Sequence, residues 1–199
     1  MLFEHIIGFF LHPSEEWESV RAGNIPFGRV VFHTLLLGAI PVVSGYIGTT
    51  QFGWQIGAAE AIKLTTGSAA IIAVLYYIII IMAVFSMGWM IHWMGQTYGA
   101  SQPLTRCLVL ATYIPIPLFL VGITQIYPVL WFNLIIGIPA ATYTVFLLYL
   151  GIPVMMEIPP ERGFLFSSAV LAFGLVGLVG LLAATVILWG FGLGPVFTT

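Results

Sequence analysis

Aspartate is absent from this 199-residue chain, and all seven acidic residues are glutamates. That excludes an aspartyl dyad, which needs two such carboxyl groups sharing a proton. A single cysteine, Cys107, cannot close an internal disulfide, so cysteine usage carries no information about redox compartment. Charged residues make up only 6% of the chain, against roughly 25% in soluble domains, which leaves too little polar surface to solvate a globule. The formal net charge of −2 gives no electrostatic reason to expect nucleic acid. H-E-x-x-H, P-loop and G-x-S-x-G motifs are also missing, which removes the commonest zinc-hydrolase, nucleotide and serine-hydrolase readings.

What the chain has is apolar length. Sixty per cent of its residues are hydrophobic and the mean hydropathy is +1.10. A helix needs about 20 apolar residues to cross a bilayer, and five stretches qualify: residues 30–48, 65–93, 107–126, 128–151 and 167–190. Each run is continuous rather than alternating, so these are helices and not strands of a barrel. The expected fold is an all-α membrane protein, a five-span transmembrane helical bundle forming one membrane domain over residues 30–199. Residues 1–29 form a cytoplasmic, interfacial segment before it. The apolar run near the N-terminus is broken by Glu4 and His5 and has no basic leader, unlike a signal peptide. It reads as a short interfacial helix ended by Pro13, which also starts the next turn, with Trp17 at headgroup depth.

Basic residues set the orientation. Arg21, Arg29, Arg106 and Arg162 fall on the side of the N-terminal segment and the 2–3 and 4–5 loops, with Lys63 alone on the other. This bias predicts a cytoplasmic N-terminus and a periplasmic C-terminus.

Prolines interrupt several spans. Proline has no N–H, so Pro115 strips the carbonyl of Ala111 of its helical partner, and Pro117 does the same to Tyr113. Pro41, Pro139 and Pro153 free the carbonyls of Leu37, Ile135 and Tyr149. Lipid offers such groups no partner, so the third and fourth spans are expected to kink towards the bundle interior. Tyr113 is expected on that inward face. Gly-Ile-Pro at 137–139 recurs as Gly151-Ile152-Pro153, marking one face of the fourth span. Small residues at Gly137 and Ala141, and at Gly174, Gly177, Gly180 and Ala184, allow close helix approach; packing within the chain is the first reading and homo-oligomer formation the second.

Binding chemistry is sparse. Met87, Met90, His92, Met94, Met155 and Met156 offer soft ligands that suit Cu(I), but methionine is ordinary apolar filler, and no metal or cofactor is expected. Interior polar groups are limited to Tyr113, Thr124, Gln125, Asn133, Thr142, Tyr143 and Thr144, with His33 and Gln51 nearer the ends. A coupled carrier would normally place an ionisable residue at the midplane, and none stands there.

Four stretches in order carry a family resemblance. They are HPSEEWESV at 12–20, with Pro13 four residues before Trp17; IGTTQFGW at 47–54; Tyr113 with Pro115 and Pro117; and LYLGIP at 148–153, which holds Tyr149, Gly151 and Pro153. Over essentially its whole length the chain resembles the Yip family of five-span membrane proteins, in particular small inner-membrane members from Gram-negative bacteria. The resemblance implies the five-span fold. Eukaryotic relatives are associated with vesicle traffic and with prenylated Rab-type GTPases, but their long cytosolic N-terminal region is missing here, and Thr112 stands in place of the glycine before the tyrosine. The expectation is therefore a non-enzymatic bacterial inner-membrane protein that scaffolds or binds an unidentified membrane or cytoplasmic protein. The alternative is a small-molecule or ion permease using the proline-broken third and fourth spans.

Overall fold

The computed structural model describes residues 2–55, 61–191 and 194–198, without the side chains of residues 184 and 188. Eight α-helices follow in order: α1 Leu2–Leu11, α2 Pro13–Ala22, α3 Phe27–Ile47, α4 Thr66–Gly95, α5 Leu104–Tyr113, α6 Ile116–Val121, α7 Leu130–Met156 and α8 Pro160–Gly190. A π-helical turn at Gly48–Phe52 extends α3, and 3-10 turns at Gln96–Tyr98 and Gly122–Ile126 extend α4 and α6. Among the described residues, strand pairing is limited to isolated bridges such as Trp54 with Ile62.

Four helical stretches, Phe27–Phe52, Thr66–Tyr98, Leu130–Met156 and Pro160–Ile187, are long and apolar enough to cross a bilayer. Leu104–Tyr113 with Ile116–Ile126 makes a fifth if the pair, bent by 40°, counts as one span. The last span begins at Pro160 rather than 167, because Glu161 and Arg162 sit in the first turn of α8 and not in a polar loop. An acidic residue there complements the helix dipole, so the charge does not delay the helix.

Prolines act unequally. Helix α3 runs through Pro41, and α7 through both Pro139 and Pro153, without interruption. The fourth span, expected from its prolines to kink, is unbroken across both of them. Only the third span breaks, at Tyr113–Ile114–Pro115, where the Ile114 N–H still reaches Leu110 O at 3.0 Å and Phe119 N–H reaches Pro115 O at 3.0 Å. Two prolines within three residues remove two ladder bonds with only one rung between them, whereas a single proline removes one that neighbours can absorb.

The core lies around the third span: Cys107 through Tyr113 are all buried, and α4, α3 and α7 pack on α5. The outer faces of α4 and α8 are apolar and exposed, as at Ile71, Val74, Met82, Val176 and Val179. Such faces are what hydrocarbon, not water, would solvate.

Small residues also part from expectation. No atom lies within 4 Å of where a Cβ on Gly137, Gly177 or Gly180 would stand, so none serves a close approach within this chain; Gly174 meets only the tip of Met87 at 3.3 Å. Ala141 is exposed, and the Ala184 side chain lies outside the described residues. The close approaches are elsewhere: a Cβ on Gly88 would stand 2.6 Å from Leu108, and one on Gly122 2.6 Å from Pro41.

At the end of α7, Glu157 takes a left-handed conformation, φ 55°, and Arg106 donates to its carboxylate at 2.9 Å. The Arg106 hydrogen bond, and then that from Gln102, hold the Glu157 carboxyl below the usual glutamate value. A depressed carboxyl contributes stability that is present above its unfolded value and is lost as pH falls through the lowered one. Arg106→Gln is expected to weaken that acid-range dependence in unfolding titrations in detergent; an identical titration for both proteins would contradict the linkage.

Candidate functional site

The N-terminal segment is the part of the chain whose placement the sequence described least well. It forms a helical hairpin, α1 and α2, docked against α5 and α7. Ten residues of α1 span only about 15 Å, too short to cross. Phe9 and Trp17 have no exposed surface, and their rings meet edge-to-face at 4.6 Å. Trp17 is buried within the chain, where it fills the space over Gly151: an added Cβ there would come within 2.6 Å of the indole. Glycine at 151 thus has a steric reason, since any side chain there would push the tryptophan out. The Tyr143 hydroxyl donates to the Phe9 carbonyl at 2.7 Å, and Phe10 stacks on the Tyr143 ring at 5.5 Å.

Beneath the hairpin runs a polar seam. The His5 ring hydrogen-bonds the Glu16 carboxylate across the hairpin. His33 on α3 and Tyr113 on α5 share a hydrogen bond of 2.8 Å between Nδ1 and the phenol, with their rings stacked at 5.8 Å. His5 and Phe9 flank the other side of the Tyr113 ring at 5.7 and 5.8 Å. On the adjacent residue of each helix, the Thr34 and Thr112 hydroxyls are 2.8 Å apart, each also within hydrogen-bond reach of the carbonyl four residues back, Val30 O or Leu108 O. Thr112 is fully buried and supplies a hydroxyl to this seam. His5 and Glu16 were missed because they lie outside every run long enough to span a bilayer, where charge reads as solvated.

Tyr113 faces the hairpin and not the opening in the bundle. That opening is a separate cavity of about 900 Å³ on the opposite side of the third span. Ala111, Ile114 and Pro115 line it, and Pro117 is buried behind them. The remaining candidates disperse. Tyr149 hydrogen-bonds Ser168 Oγ at 2.8 Å, and Pro153 packs so close to Gly163 that a Cβ there would be 2.7 Å away. The Leu148–Pro153 stretch therefore serves two faces of α7, Gly151 for the hairpin and Tyr149 with Pro153 for α8. Pro13 opens α2 at its first position. His92 shares a 3.0 Å hydrogen bond with the Gln102 carbonyl, while Met90, Met155 and Met156 are packed in the core.

The pattern of the Yip1 domain matches residues 7–181, a range that takes in the hairpin from Ile7 onward, the broken third span and the Gly151 contact. The chain belongs to the Yip1 domain family. It is 42% identical to "Inner membrane protein YohC" of Escherichia coli strain K12 over 189 residues, 94% of this chain and 97% of the relative. The same identity and coverage hold for the protein of that name in Escherichia coli O6:H1 strain CFT073. No solved structure matches. This Yip1-domain chain is thus an integral membrane protein similar along its length to inner-membrane proteins.

Proposed function

We propose that this Yip1-family chain is a non-enzymatic five-span scaffold of the bacterial inner membrane, with its N-terminus in the cytoplasm and its C-terminus in the periplasm. The docked hairpin is its partner-binding element. One observation carries the reading: the hairpin presents two unlike outer faces while its inner face is fixed to the bundle. On α1, Phe3, Ile7 and Leu11 are exposed and apolar; on α2, Glu15 and Glu18 are exposed and charged. Such a pair suits a membrane–water boundary, with α1 against acyl chains and α2 offered to cytoplasmic proteins. The interior polar groups also favour a scaffold over a permease. Thr124, Asn133 and Thr142 are satisfied by nearby backbone or by one another, and the seam at Tyr113 does not line the cavity.

Two measurements test this. A C-terminal alkaline phosphatase fusion is expected to be active and a green fluorescent protein fusion dark; the reverse would overturn the topology. A photo-reactive amino acid at Glu15 or Glu18 is expected to give a discrete protein adduct in cells, and the chain in phosphatidylcholine vesicles to pass no solute beyond protein-free vesicles. Saturable solute flux without any adduct would replace the scaffold by the permease.

A further inference from the structure

The geometry points to the 900 Å³ cavity as a binding site for one acyl chain of a membrane glycerophospholipid, held with its ester groups at the Trp54–Gln125 end. The volume is at the upper end of the ~300–1,000 Å³ range of pockets that enclose a small organic ligand. Its walls come from α4, the broken third span, α7 and α8, and none of the described residues that line it is charged or a histidine. An ion or a nucleotide would find no counter-charge there. Water is equally ill-suited, because an apolar cavity stays dry unless polar partners are at hand, and a void of this size forfeits dispersion contacts along its lining. The surrounding medium of a membrane-embedded chain supplies the matching occupant at high concentration, namely hydrocarbon.

The polar groups at the cavity fix the orientation. The Trp54 indole and the Gln125 amide line the same end of the bundle, after the first and third spans, and the Gln125 amide makes no hydrogen bond with a described residue. Both are N–H donors, which suits ester carbonyls. Farther in, the Thr144 hydroxyl oxygen is buried and without a hydrogen-bond partner among the described residues, although it lines the same space. The break in the third span lies in the wall of this cavity, which Ala111, Ile114 and Pro115 line.

The test uses the full chain in phosphatidylcholine vesicles doped with a phosphatidylcholine carrying a diazirine on one acyl chain. After illumination, adducts are expected on peptides containing Ala111–Leu118 and Gly137–Leu148. Gly137→Phe is expected to reduce those adducts about tenfold or more, the effect of some 1.4 kcal/mol, because a ring there has open space to enter. Gly177→Phe, the same change at an open position outside the cavity, is expected to label like the parent protein. Adducts confined to outward positions such as Ile135 and Val176, or a Gly137→Phe protein labelled as strongly as the parent, would overturn the assignment. If Gly137→Phe fails to fold, the adduct map of the parent chain decides alone.

Discussion

Trp17→Ala is expected to destabilise the protein by about 3–5 kcal/mol, the usual cost of truncating a large buried aromatic, and to free the N-terminal hairpin before the rest unfolds. Trp17 has no exposed surface, and it joins two otherwise separate contacts, the Phe9 ring on α1 and Gly151 on α7. Few other large side chains tie α2 to the bundle; Val20 is its second buried residue. The loss should therefore be local first. Hydrogen exchange in detergent is expected to show residues 2–22 losing protection while 104–113 keep theirs. The reciprocal change, Gly151→Leu, attacks the same contact from the other side. Its side chain would begin 2.6 Å from the indole, and overpacking of this kind costs about 1–3 kcal/mol, although leucine favours the α7 helix more than glycine does. Unchanged protection of residues 2–22 in both variants would show that the hairpin is not held by this contact.

Tyr113→Phe is the second large effect. It removes only an oxygen, yet it leaves His33, 4% exposed, without the partner of its Nδ1. A buried polar group stranded in this way costs about 1–3 kcal/mol, more than the net value of the hydrogen bond itself. His33→Leu alone should also be costly, since the phenol then lacks its partner. The double change should cost less than the sum of the singles, with a coupling of about 0.5–3 kcal/mol. Strict additivity would mean that the two groups do not depend on each other. The proposed scaffold role adds a functional expectation: because His5 and Phe9 rest on the same ring, Tyr113→Phe should alter the adducts formed at Glu15 or Glu18 without changing topology.

The sequence by itself determined that this is an all-helical membrane chain and roughly where its helices run. Hydropathy is a local quantity, so a run such as 65–93 reveals helix α4 regardless of what packs on it. The missing N–H groups of Pro41, Pro115, Pro117, Pro139 and Pro153 were legible too, but not which of them would break a helix: among the described spans only the third is split. Tertiary structure decided which groups meet. His33 and Tyr113 are 80 residues apart, and Phe9 and Tyr143 are 134 apart; no periodicity encodes such pairings. It also decided that Gly151 is filled by Trp17 while Gly137 opens on empty space, two glycines that read alike in matching Gly-Ile-Pro triplets. The physical reason is that a glycine only permits approach, and whether anything approaches depends on where distant helices come to rest. The same holds for charge: Glu16 reads as solvated beside Glu15 and Glu18, and only the docking of α2 on the bundle turns one of the three inward.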